Sequence, residues 1–165
     1  MLNARVGATT MLADRRLGGS QVCMLLKNKR IFIVEDNAAY VAIASIYLRY
    51  AGAIVEVENW GLNVPDKIVK QLPIDVILMD LKLPRNASGF DIFDQIRAVP
   101  ELAAIPIVAV SAADPDVAMA RARQKGFAGY IAKPITPRIA AYVAAILDGK
   151  QIWIADSDVL YSDQF

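Results

Sequence analysis

Apolar residues come in short dense runs, set apart by longer stretches of mixed pattern. The first run, Arg30-Ile-Phe-Ile-Val34, ends on Glu35-Asp36 and reads as a strand. Asn37 offers a side-chain oxygen to cap a helix reaching about Tyr50, which Ala51-Gly52 ends. Ala53–Val57 is a second strand. Trp60–Gln71 reads as a helix with Leu62, Ile68 and Val69 apolar and Leu72 just beyond it, Pro65 falling in its first turn. Ile74–Met79 is a buried strand bounded by Pro73 and Asp80, and Leu81–Gly89 is a loop. Phe90–Ala98 is helical, and Ile105–Val110 is the fourth strand. A helix over Asp114–Lys125 starts near Pro115 and stops at Gly126. Gly129–Ala132 is a short strand, and Thr136 caps a last helix through Leu147, with Pro137 at its first position.

Strand and helix therefore alternate five times. The strand runs lack strict alternation of apolar and polar positions, so both of their faces are buried. The helices between them are long enough for right-handed crossovers. This predicts an α/β fold, a doubly wound five-stranded parallel sheet with helices on both faces. Neither a second domain nor an internal repeat is visible. Residues 1–29, rich in glycine and lacking periodicity, read as an N-terminal extension with a short helix around Ala8–Leu17; Met24 is a candidate start. Residues 30–147 form the domain. Residues 148–165 read as a C-terminal arm, because Ile152, Trp153, Ile154, Val159, Leu160, Tyr161 and Phe165 are punctuated by Asp156, Asp158 and Asp163.

A parallel sheet binds its ligand beyond the C-terminal strand ends. Strand one ends in Glu35-Asp36, strand three in Asp80, strand four in Ser111, and strand five just before Lys133-Pro134. Composition narrows what such a cluster does. The 165 residues contain no His and one Cys, Cys23, which removes imidazole bases, imidazole or thiolate metal sites and an internal disulfide. Eighteen Lys and Arg against seventeen Asp and Glu leave a formal charge of +1, with no field to attract nucleic acid or an anionic membrane. No apolar stretch is long enough to span a bilayer, and charges interrupt residues 1–30 too often for a signal peptide. A cytoplasmic location is the expectation. Carboxylates held together need a cation, and an all-oxygen donor set suits Mg²⁺. An ammonium and a hydroxyl at the same edge suit phosphoryl oxygens, and an aspartate can be the nucleophile at phosphorus.

From about Lys29 to Leu147 the chain resembles the receiver domain of two-component response regulators, the CheY-like group. The resemblance rests on Ile31-Phe-Ile-Val-Glu-Asp-Asn37, Ile77-Leu-Met-Asp-Leu-Lys-Leu-Pro84, Gly89, Ile107-Val-Ala-Val-Ser-Ala112 and Gly129-Tyr-Ile-Ala-Lys-Pro134, in that order and spacing. It implies the strand order 2-1-3-4-5. It implies that Asp80 takes a phosphoryl group from a phosphohistidine on a sensor histidine kinase or histidine phosphotransfer protein. Asp36 matches the direct Mg²⁺ ligand and Glu35 its companion acid; the backbone carbonyl of Lys82 completes the metal site. Ser111 matches the hydroxyl that moves onto the phosphoryl group, Ala112 the residue whose N–H binds it, and Lys133 the family's lysine, before a proline whose peptide bond is often cis. Tyr130 matches the aromatic switch that turns inward with Ser111. Output is expected through the face of the fourth helix, fifth strand and fifth helix, to a downstream protein or a second copy in a homodimer.

The chain departs from the family pattern in two ways. Gly89 follows Asp80 by one residue more than usual, which enlarges the loop around Arg85-Asn-Ala-Ser88. Lys82 and Ala113 stand at rate-tuning positions and favour slow self-dephosphorylation. Arg121, Arg123 and Lys125 form a basic patch that ordinary solvation explains. The chain is expected to relay a signal by protein contact, not to be an enzyme and not to bind DNA directly, since only eighteen residues follow Leu147. Two alternatives stand beside this reading. One is an aspartyl-phosphate-forming hydrolase, which needs a second acid where Lys82 stands; the other is a receiver-like scaffold that signals without phosphate.

Overall fold

The buried runs of the sequence all become strands in the computed structural model, which describes residues 24–84 and 87–155. The elements are β1 (Arg30–Val34), α1 (Ala38–Tyr50), β2 (Ile54–Glu58), α2 (Val64–Val69), β3 (Val76–Met79), α3 (Gly89–Arg97), a 3-10 turn (Pro100–Leu102), β4 (Ile107–Ser111), α4 (Pro115–Lys125), β5 (Gly129–Ala132), α5 (Ile139–Leu147) and β6 (Ile152–Ile154). One sheet runs β2-β1-β3-β4-β5-β6, and every pairing is parallel. The expected order 2-1-3-4-5 holds, and a sixth strand extends it.

Alternate residues of one strand serve two separate cores. Phe32 and Val34 of β1 pack with Ile92, Phe93, Phe127 and Tyr130 on the face covered by α2, α3 and α4. Ile31 and Ile33 of the same strand pack with Leu48, Val143 and Ile146 on the face covered by α1 and α5. Both faces of the pleat are apolar, which is why the sequence shows dense runs instead of alternation.

Three elements differ from the sequence expectation. The helix expected over Trp60–Gln71 is confined to Val64–Val69. Gly61 and Asn63 take positive φ values of 66° and 50°, which turn the chain first, and Pro65 fixes the helix start. The last helix begins at Ile139, with no side-chain cap. Thr136 instead accepts the Ile139 N–H through its backbone carbonyl at 3.1 Å, so a turn precedes the helix.

The third difference is β6. Gly149, at φ 83°, turns the chain after α5, and Ile152–Ile154 then lie along β5. A Cβ on Gly129 would sit 2.6 Å from the Ile152 carbonyl oxygen, so the close pairing requires glycine there. Trp153 packs against the α2–α4 core, and the Arg123 guanidinium lies 4.6 Å from its ring centroid. The helix expected around Ala8–Leu17, Arg85 and Asn86 of the enlarged loop, and the arm from Asp156 onward lie outside the described residues.

Candidate functional site

Register brings the acids together. Val34 of β1 is paired with Met79 of β3, so the next residues, Glu35 and Asp80, leave the sheet side by side. The Asp80 N–H donates to the Val34 carbonyl at 2.9 Å. One carboxylate oxygen from each of Glu35, Asp36 and Asp80 lies within 4.8 Å of the others. Glu35 and Asp80 are 4% and 7% exposed, whereas Asp36 faces solvent. On the next two strands, Ser111 of β4 is paired with Ala132 of β5, and Lys133 follows at the same edge, donating its N–H to the Ser111 carbonyl at 2.9 Å. The Lys133–Pro134 peptide bond is cis.

Lys133 spans the two buried acids. Its Nζ lies 2.6 Å from Glu35 Oε2 and 2.7 Å from Asp80 Oδ2, with only 4% of its side chain exposed. Burial disfavours the ammonium, but hydrogen bonds to Asp80 and Glu35, and their charges, outweigh it and hold the lysine above its ordinary pKa. Glu35 is also pushed up. Burial is the largest cause and the Asp80 charge adds to it, against the opposing hydrogen bond from Lys133. The Asn37 N–H donates to Glu35 Oε1 at 3.1 Å, and the Lys82 N–H donates to Asp80 Oδ1 at 3.1 Å.

The other expected residues sit around this centre. The Lys82 side chain is exposed at the mouth of the site, and Ala112 is exposed just beyond β4. Ser111 is buried, and its Oγ accepts the Ala113 N–H at 3.1 Å. Tyr130 lies fully inside the core and its hydroxyl donates to the Ala113 carbonyl at 3.1 Å. Burial is the first cause that raises its pKa, with Asp80 and Asp114 adding to it. Two features escaped the sequence reading. Glu58, buried at the end of β2, pairs with Lys67. Tyr40 places its ring centroid 4.1 Å from Lys133 Nζ; its position in the first turn after the Asn37 cap was the available signal.

The donor set fits a hard divalent cation. All candidate ligands are oxygens, and Asp36 opens the cluster to water. Octahedral Mg²⁺ with bonds of about 2.1 Å spaces its ligands by up to roughly 4.2 Å, which small side-chain rotations would reach from here.

Comparison with known proteins follows the same site. The family model of the response regulator receiver domain matches residues 31–143. The transcriptional regulatory protein CreB of Escherichia coli K12 is 32% identical over 123 residues, covering 74% of this chain and 52% of that protein, so the chain spans about half the length of this relative. The polar-differentiation response regulator DivK of Brucella ovis is 32% identical over 120 residues, covering 72% of this chain and 96% of that protein. Among solved structures, a putative response regulator from Chloroflexus aurantiacus J-10-fl superposes with a TM-score of 0.67 at 28% identity, covering 74% of this chain and 99% of that one. The receiver domain of a sensor histidine kinase from Pseudomonas aeruginosa PAO1 gives 0.65 at 26% identity, with coverages of 74% and 99%. That structure has a magnesium ion coordinated in its active site cleft.

One expectation is overturned here. The chain was expected to accept a phosphoryl group on Asp80 and relay the signal by protein contact, yet not to be an enzyme. The gathered carboxylates make a phosphoacceptor and metal-binding cluster typical of catalytically active receivers, which transfer a phosphoryl group to themselves and remove it. The acid edge was read correctly as a phosphoacceptor and Mg²⁺ site, but transfer to its own aspartate and removal of the group were not counted as catalysis.

Proposed function

The chain belongs to the response regulator receiver family, and on that premise we propose that Asp80 is the phosphoacceptor of a Mg²⁺-assisted transfer from phosphohistidine. Receivers as a class work with histidine kinases or histidine phosphotransfer proteins, and the Glu35, Asp36 and Asp80 cluster is their active-site arrangement. The observation that carries the reading is the pair of contacts from the Lys133 ammonium to Glu35 and Asp80, beside three convergent carboxylates.

An Asp80 carboxylate oxygen attacks phosphorus, the phosphorus–nitrogen bond of the donor breaks, and the leaving imidazole keeps the electron pair and takes a proton. The product is a mixed anhydride on Asp80. Water later attacks the same phosphorus, giving inorganic phosphate, free carboxylate and a proton. Glu35, Asp36, Asp80 and the Lys82 carbonyl would hold Mg²⁺, which when bound would neutralise charge on the phosphoryl oxygens. Lys133 gives a phosphoryl oxygen a cationic donor, and the Ala112 N–H gives another oxygen a neutral one. Ser111 leaves its contact with Ala113 to reach the phosphoryl group, and Tyr130, which also bonds to Ala113, senses that exchange. Lys82 and Ala113 favour a long-lived adduct.

We take residues 30–147 as the receiver proper, with 1–29 as an extension and 148–165 as an arm. Output runs through α4, β5 and α5 to a downstream protein or a second copy. Because β6 lies along β5, a contact there engages β6 or displaces it. Incubation with Mg²⁺ and a small acyl-phosphate donor should add one phosphoryl group by intact mass, and Asp80→Asn should abolish it. Equal labelling of the variant would refute Asp80 as acceptor.

A further inference from the structure

We infer that Tyr40 is a positioning residue of this site, its ring face holding the Lys133 ammonium against Glu35 and Asp80. The inference deepens the proposed function and rests on it for its kinetic consequence.

A lysine is a point charge on a flexible stem, and two carboxylates alone do not fix its direction. An ammonium has three donors. Glu35 and Asp80 engage two of them, at 2.6 and 2.7 Å. The Tyr40 ring centroid, 4.1 Å from Nζ, supplies the third direction. That is well inside the roughly 6 Å reach of a cation–π contact, and burial strengthens such a contact.

Local structure explains why the ring is there. Asn37 Oδ1 accepts the Ala39 and Tyr40 N–H groups at 2.9 and 3.4 Å, which caps α1. The Asn37 N–H in turn bonds to Glu35. Tyr40 is therefore tied through one residue to an acid that Lys133 touches. Side chains tilt toward a helix N-terminus, and here that direction is the acid edge of the sheet. Tyr40 lines a small recess together with Glu35, Asp80, Ala44, Leu78 and Ile139, and the Lys133 side chain is only 4% exposed, so the contact lies away from bulk water. Charge is spread over the phosphoryl oxygens during transfer, and a donor already in place reorganises less. The contact uses the ring face, so phenylalanine preserves it and leucine does not.

The test compares wild type, Tyr40→Phe and Tyr40→Leu. With saturating Mg²⁺ and a small acyl-phosphate donor, Phe should label Asp80 within about twofold of wild type, and Leu roughly 2- to 30-fold more slowly. Mg²⁺ affinity and thermal midpoint should match across the three, since Tyr40 offers no metal ligand. Leu as fast as wild type, Phe as slow as Leu, or a parallel loss of Mg²⁺ affinity would each overturn the inference. NMR separates this from failure of the functional reading. The Lys133 ε-methylene protons should show a ring-current shift in wild type and Phe that Leu lacks, whether or not the chain accepts phosphate. An unshifted methylene in wild type refutes the role of Tyr40. A shifted methylene in a folded wild-type chain that takes no phosphoryl group supports the contact and refutes the receiver chemistry.

Discussion

Gly89 leaves no room for a side chain beside the acid it serves. A Cβ there would stand 2.2 Å from the Asp80 carbonyl oxygen and 2.9 Å from the Leu81 Cα, both backbone atoms. The constraint is close approach, held by the Gly89 N–H donating to the Leu81 carbonyl at 3.2 Å. Gly89→Ala must push the loop off β3 and carry Asp80 away from Lys133. We expect about 1–3 kcal/mol of lost stability in urea unfolding, as for other overpacked sites, and slower labelling of Asp80. An unchanged midpoint and rate would refute the close approach. The acids and Lys133 were legible in the sequence because strand ends of a parallel sheet share one edge. Tyr40 was not, since strand-end position says nothing about which ring an ammonium will lie against. The hydroxyl of Ser111 was legible by position, while its bond to the Ala113 N–H follows from the local turn.

Among the elements, β6 most changes what the molecule presents. Its residues were visible as an apolar run, but their partner was not, because pairing with β5 depends on the turn at Gly149 and on the room left by Gly129. An uncovered β5 would offer a row of free backbone groups to another chain; β6 takes that edge in cis. Gly129→Ala drives a methyl against the Ile152 carbonyl and should detach β6 while leaving β1–β4 paired. Amide hydrogen exchange at Ile152–Ile154 should rise at least tenfold, with Ile31–Val34 unaffected, where a tenfold change is about 1.4 kcal/mol of local opening. Equal protection in the variant would refute the glycine requirement. The basic residues of α4 also read differently in place. Arg121 lies 4.0 Å from the Phe90 ring centroid, Arg123 covers Trp153, and Lys125 pairs with Asp94. Each cation is engaged with a neighbouring element, so the solvated patch inferred from sequence joins α4 to α3 and to β6. Helix α2 was overestimated for a related reason: apolar spacing continued through residues whose positive φ values break the helix.

For the whole molecule, the two cores stabilise the sheet while its acid edge opposes that stability. Among the described residues, Lys133 is the one cation in ion-pair contact with the cluster of Glu35, Asp36 and Asp80. Burial holds Glu35 above its ordinary pKa, so the folded state binds that proton more tightly than the unfolded chain does. Stability from this group is therefore greatest in acid and falls as pH rises from about 4.5 through the raised value. Lys133 has the same sign in a different window. Its raised pKa gives stability that is complete below 10.5 and is lost as pH rises from there through the folded value. The clustered carboxylates repel one another, so an added divalent cation has most to offset where they are ionised. At a hundredfold excess over its dissociation constant, a ligand adds about 2.7 kcal/mol, or roughly 5–11 °C in midpoint for a chain of this size. Scanning thermal unfolding with and without Mg²⁺ across pH should give that gain at neutral pH. The gain should shrink toward zero as acid protonates the ligands, whose metal-binding form is the carboxylate. Asp80→Asn should lose most of it throughout. A Mg²⁺ gain that stayed constant into acid, or survived intact in Asp80→Asn, would mean that the cation acts elsewhere on the surface and that the acid edge is not its site.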